Sequence, residues 1–176
     1  NILIVGGSQS ASIFNYKLKD IIVNLSKKKL IRIFQQTSEK NVPYLKDFYL
    51  KNNIENKIFS FEKNFDKIIH QADLCITRAG ASTLSELSLL NVPFIAVPLP
   101  TSKDNHQLEN ANFYKNHNCC WLIEQHLFEE KIEKFLKDIL EEKSDYLNKK
   151  ENLKKLNFKN TWINANQKLL KVLNEN

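Results

Sequence analysis

The chain has 176 residues, 42% of them hydrophobic and 10% aromatic. That is enough for one compact domain, and it excludes a disordered tail, a collagen-like repeat and a disulfide-stapled miniprotein. Lys and Arg outnumber Asp and Glu by 26 to 20, a formal net charge of +6. The cations are interleaved with acids, as in Glu129-Glu130-Lys131-Ile132-Glu133-Lys134, and no basic run carries the aromatics of a nucleic-acid patch. The expected result is a solvated basic surface with at most a weak pull toward anionic phospholipid.

Cys75, Cys119 and Cys120 have neither metal-ligand spacing nor an even count for a disulfide framework, which suits a reducing cytosol. There is no signal peptide and no apolar stretch approaching roughly 18 residues, the length that would suggest a membrane span. The sequence opens at Asn1 directly on an apolar run and contains no Met, which points to a fragment with further sequence upstream.

Short apolar runs read as strands at Ile2–Val5, Ile31–Phe34, Lys57–Phe61, Leu74–Thr77, Pro93–Val97 and Cys119–Ile123. Several are continuous rather than alternating, as in parallel strands buried on both faces. Between them, Asn15–Lys28, Val42–Lys51, Phe65–Gln71, Thr83–Leu90 and Asn105–Asn116 are long enough for crossover helices. The pattern predicts an α/β, Rossmann-like, doubly wound parallel sheet of six strands over residues 1–124. From residue 125 to 176 no strand follows. Leu127–Glu142, Asp145–Lys155 and Trp162–Asn174 read as charged amphipathic helices that pack on this domain or on a missing partner domain. Trp162, Leu169, Leu170 and Leu173 give the last one an apolar stripe.

All 3 glycines fall at two strand-to-helix junctions, Gly6-Gly7 and Gly80. At the carboxyl end of a parallel strand, such a turn aims free helix N–H groups into the crevice where α/β proteins bind ligands, and the helix field there favours an anion. Ile4-Val5-Gly6-Gly7-Ser8-Gln9-Ser10-Ala11 is not a dinucleotide fingerprint, because the third glycine is replaced by Ala11 or Ser12. It also lacks the Gly-Lys-Ser/Thr of a phosphate-binding Walker loop. In Arg78-Ala79-Gly80-Ala81-Ser82-Thr83-Leu84-Ser85-Glu86, an arginine, two hydroxyls and a helix start converge as a diphosphate would require. The competing reading makes Thr83 and Glu86 a capping box and Arg78 one half of a structural ion pair. In Pro98-Leu99-Pro100-Thr101-Ser102-Lys103-Asp104-Asn105-His106-Gln107, Asp104 and Gln107 have capping-box-like spacing, while Asn105, His106 and Gln107 offer polar contacts to a sugar. His70, His117 and His126 show no partner pattern and read as surface residues.

These three segments, in this order and spacing, resemble the carboxyl-terminal, donor-binding half of the MurG family. Its members are peptidoglycan glycosyltransferases that transfer N-acetylglucosamine from UDP-GlcNAc to undecaprenyl-diphospho-MurNAc-pentapeptide (lipid I), forming lipid II. The resemblance covers nearly the whole chain and implies one half of a GT-B fold, in which two Rossmann-like domains face a cleft. By the family's pattern, Gly7 and Ser8 lie near the diphosphate, and Gly80, Ala81, Ser82 and Thr83 present a second helix start to the nucleotide. Glu86 binds the ribose hydroxyls, His106 and Gln107 meet the donor sugar, Glu62 lies in the loop that reads uracil, and Arg78 helps to hold charge on the departing diphosphate. The sequence departs from the family at Ser10, usually glycine, at His106, often glutamine, and in the side chains of Phe61-Glu62-Lys63.

The implied reaction is inverting transfer. No cofactor is expected to be required; the reading leaves room for a divalent cation, but shows no Asp-x-Asp or other dedicated site for one. The general base, the acceptor site and the main membrane-facing patch belong to the family's amino-terminal half. No catalytic residue is therefore expected in this chain, which should bind donor without turning over alone. The implied setting is the bacterial cytoplasm, peripheral to the cytoplasmic face of the inner membrane, with no nucleic-acid partner. Alternatives are another GT-B enzyme, such as a glycolipid glycosyltransferase or a UDP-GlcNAc epimerase, and a non-catalytic nucleotide-sugar-binding module.

Overall fold

The computed structural model describes residues 1–6 and 12–159. Its strands are β1 (Ile2–Val5), β2 (Arg32–Gln36), β3 (Glu55–Phe59), β4 (Leu74–Thr77), β5 (Phe94–Ala96) and β6 (Cys120–Leu122). All pair in parallel, in the order β3-β2-β1-β4-β5-β6. The chain winds outward from β1 in one direction and from β4 in the other, so the order reverses between these two strands. Crossovers leave and return there on opposite faces, opening a crevice at the strands' carboxyl ends.

The helices are α1 (Ser12–Ser26), α2 (Val42–Lys51), α3 (Phe65–Gln71), α4 (Ala81–Leu89), α5 (His106–Asn116), α6 (Phe128–Glu141) and α7 (Lys143–Lys159). The pleat divides the strand side chains between two cores. Ile2 and Ile4 join Phe14, Leu18 and Ile22 of α1, Leu45 and Tyr49 of α2, and the α6 stripe Phe128, Ile132, Leu136 and Ile139. Leu3 and Val5 face the other way, toward Ile68 and Ile69 of α3, Leu84 and Leu87 of α4, Ala111 of α5, and Leu153 and Leu156 of α7. The helices beyond residue 124 thus help to close both cores. Phe14 and Phe128 pack with ring centroids 5.5 Å apart, both fully buried. The expected helix at Trp162–Asn174 lies outside the described residues.

Two strands differ from their sequence pattern for identifiable reasons. β2 runs on through Gln35, which is fully buried, because a polar network satisfies its side chain. Gln35 Nε2 donates to Asn15 Oδ1 at 2.8 Å, Tyr49 Oη donates to Gln35 Oε1 at 3.1 Å, and Asn15 Nδ2 donates to Thr37 Oγ1 at 2.8 Å. β3 starts two residues before its expected start and stops at Phe59, leaving Phe61 exposed. As an edge strand it keeps Glu55, Asn56 and Lys57 partly in water, so its apolar signal is weak.

Candidate functional site

The β4 turn sits at the point of reversal, and its backbone can be followed group by group. The Arg78 N–H donates to Val5 O of β1 at 3.1 Å, and the Thr77 hydroxyl donates to Arg78 O at 2.9 Å. The Ala79 N–H goes to Gln107 Oε1 at 3.2 Å, and Ala79 O accepts from Asn110 Nδ2 at 3.0 Å. Gly80 is the N-cap of α4 with φ −69° and ψ 136°, and its carbonyl accepts the first helical bond from Leu84 N at 3.0 Å. Among the described residues no group accepts from the N–H groups of Gly80, Ala81, Ser82 or Thr83. Four successive amides at the positive end of a nine-residue helix therefore face the crevice. Among the described residues, and apart from Gly80's own chain neighbours, no atom lies within 4 Å of the point where a Cβ on Gly80 would stand, so a ligand can come close to this backbone.

This geometry removes the capping-box reading of Thr83 and Glu86. The helix begins at Ala81, two residues earlier than its pattern suggests, and no side chain caps it. Thr83 is its third residue, half-buried, while Ala81, Ser82 and Glu86 are exposed. Without a cap to serve, the exposed Glu86 side chain is left in solvent at the sixth position of α4. The second expected capping box, Asp104 with Gln107, does not form either. Asp104 and Asn105 are both left-handed (φ 49° and 54°), and α5 starts after them at His106 with no side-chain cap.

Gln107 is half-buried. Its carbonyl oxygen accepts from the Leu99 N–H at 3.0 Å as well as from Ala79, tying the loop after β5 to the β4 turn. His106 is exposed at the head of α5, its Nδ1 against Lys103 O. Glu62 takes a hydrogen bond from Lys57 Nζ at 2.6 Å and one from the Asn64 N–H at 3.1 Å. The Lys57 bond, followed by the Asn64 N–H, holds its carboxyl below the usual range. Gly7 and Ser8 lie outside the described residues.

Arg78 has a different environment from the expected one. It is 8% exposed, with its guanidinium drawn inward over the Phe14 ring of α1 at 5.1 Å. Nη1 donates to Val97 O at 3.1 Å and Nη2 to Gln125 Oε1 at 2.7 Å, so three loops at the carboxyl edge meet on one cation. Burial lowers its pKa to about 10, which leaves it charged at neutral pH. These contacts are to carbonyl and amide oxygens and an aromatic ring. Among the described residues no cluster of His, Cys, Asp and Glu is arranged to hold a metal ion, and no helix is long and apolar enough to cross a membrane.

A model of the glycosyltransferase family 28 C-terminal domain matches residues 1–164. The chain belongs to that family. This family 28 domain is 45% identical, over all of its length and 50% of the relative's, to a Pelagibacter ubique protein. That relative is named UDP-N-acetylglucosamine--N-acetylmuramyl-(pentapeptide) pyrophosphoryl-undecaprenol N-acetylglucosamine transferase. A Wolbachia pipientis protein of the same name is 31% identical over 91% of this chain and 48% of its own length. The family 28 domain thus spans about half the length of the curated relatives it matches. The crystal structure of Acinetobacter baumannii MurG superposes with a TM-score of 0.76 at 28% identity, covering 88% of this chain and 45% of that one. The glycosyltransferase VinC, at 14% identity and a TM-score of 0.66, shares the fold. The sheet is accordingly the Rossmann-like half of a GT-B architecture.

Two residues of this family 28 domain that engage the β4 turn lay outside the expected set. Asn110 is one turn after Gln107 on the same helix face, a spacing that was visible once Gln107 was singled out. Gln125 comes from the far side of β6 and left no sequence signal.

Proposed function

We propose that the chain is the donor-binding half of an inverting N-acetylglucosaminyltransferase that uses UDP-GlcNAc and the lipid-linked acceptor named in its relatives. The observation that carries this reading is the row of amides at Gly80–Thr83, set where the strand order reverses and without an acceptor among the described residues. Four N–H groups and the α4 field suit a diphosphate. The exposed Glu86 carboxylate is suited to accept hydrogen bonds from a ribose diol. The same reading assigns Gly7 and Ser8 to the diphosphate, His106 to the sugar and the loop carrying Glu62 to the base.

In the reaction, the C4 hydroxyl oxygen of the muramoyl sugar bonds to the anomeric carbon from the face opposite the diphosphate. The bond from that carbon to the diphosphate oxygen breaks, and the electron pair leaves with UDP. The hydroxyl proton passes to a base supplied by the amino-terminal half. This chain's part is to fix the donor and to stabilise charge growing on the leaving phosphate through preorganised amides. The acceptor lipid places the whole enzyme against the inner face of the bacterial membrane.

Calorimetry tests the assignment. UDP-GlcNAc should bind more tightly than UDP-glucose or UDP-galactose, and Glu86→Ala should weaken UDP by about 1–3 kcal/mol, as expected for charge-assisted hydrogen bonds. Equal affinity for all three sugars would shift the reading to another GT-B donor. An unchanged UDP affinity in folded Glu86→Ala would remove the ribose role.

A further inference from the structure

We propose that Gln107 and Asn110 are positioning residues that aim the amide row by gripping the peptides on both sides of Ala79. This rests on the donor-site reading above. Ala79 is fully buried, and its N–H and C=O lie beyond the last sheet pairing of β4, so each needs a partner that the sheet does not supply. α5 supplies both from one face, with Gln107 Oε1 accepting at 3.2 Å and Asn110 Nδ2 donating at 3.0 Å. A rotation of the Ala79–Gly80 peptide would swing the Gly80 N–H and the start of α4; Asn110 holds that peptide directly and Gln107 holds the one before it, so these two bonds set the direction in which Gly80–Thr83 point. Gln107 also accepts from Leu99 N–H at 3.0 Å, so the loop after β5 is locked to the Arg78–Ala79 peptide. The left-handed pair Asp104-Asn105 turns the chain so that α5 starts with Gln107 in its first turn, beside the β4 turn. Gln107 thus acts by accepting from backbone amides, and Asn110 by donating.

The roles predict which substitutions matter. Gln107→Met and Asn110→Asp each remove the needed group while keeping the shape. Asn110→Asp also sets a carboxylate oxygen against the Ala79 carbonyl. Gln107→Glu retains an acceptor for both N–H groups, and a negative charge suits the first turn of a helix.

The experiment is calorimetry with UDP and with UDP-GlcNAc on the wild-type chain and these three variants, below each variant's unfolding temperature. Gln107→Met and Asn110→Asp are expected to weaken both ligands by the same factor, roughly tenfold, because both ligands carry the diphosphate and binding depends on preorganised amides. Gln107→Glu should restore most of what Gln107→Met loses. A loss confined to UDP-GlcNAc, with UDP unchanged, would overturn the proposal in favour of direct sugar contact. Unchanged affinity for both ligands in the folded variants would overturn it in favour of a purely structural role. If one variant does not fold, the other still tests the shared factor. Failure of the wild-type chain to bind UDP at all would remove the donor-site reading, and this assignment with it.

Discussion

Replacing Gly80 by alanine separates what this position does for the fold from what it does for a ligand. With φ −69° and ψ 136° the backbone is one that any L-residue adopts, and among the described residues, apart from the chain neighbours, no atom stands within 4 Å of the new methyl. Two effects on stability oppose each other. Fewer conformations of the unfolded chain favour alanine by about 0.4–1 kcal/mol. Its poorer performance at an N-cap costs about 0.5–1 kcal/mol. They nearly cancel, so the melting temperature should move by no more than roughly 4 °C. The methyl does, however, fill the open space through which a phosphate would reach the Gly80 and Ala81 amides. Losing one such bond to a charged group removes about 1.5–3 kcal/mol, which weakens UDP binding by at least about tenfold. Calorimetric titration with UDP and a parallel thermal scan measure both quantities. A folded Gly80→Ala chain binding UDP within about twofold of wild type would mean that no phosphate lies against this backbone.

Phe128→Ala should destabilise the chain by about 3–5 kcal/mol, because the ring is fully buried against Phe14. Chemical denaturation checks this, and a loss below about 1 kcal/mol would show that α6 is only appended to the sheet. The three cysteines should resist thiol reagents at pH 8 until the chain unfolds. Burial pushes the Cys120 thiol up to about 12 and raises Cys75 and Cys119 as well, so little reactive thiolate is present in the native state. Rapid labelling of the native chain would refute that. Lys149→Met should cost stability as well. The ammonium is buried over Trp121, donates to Asn118 Oδ1 at 2.9 Å and pairs with Asp145 at 3.4 Å, and the substitution removes all three contacts. Denaturation at neutral pH reads the difference, and equal stability would show that packing alone holds α7 there.

The architecture was legible in the residue pattern, because continuous apolar runs alternating with helical periods have few other solutions than a parallel sheet covered on both faces. The pattern also placed the β4 turn, since Gly80 ends a strand and precedes a run of small and hydroxyl residues. Tertiary structure decided what each polar residue does. The sequence shows Arg78 at a strand end, but not that Phe14, Val97 and Gln125, from three separate segments, meet its guanidinium. Thr83 and Glu86 have the spacing of a cap, but spacing cannot fix where a helix starts. That depends on the Ala79 peptide being held by α5, which brings Gly80 to the N-cap. Gln35 hides a strand because a buried amide is tolerated only when Asn15 and Tyr49 are there to satisfy it. Patterns of period and punctuation are local and survive in the sequence. Hydrogen-bond partners are chosen across the fold, and only the assembled sheet and helices bring them within reach.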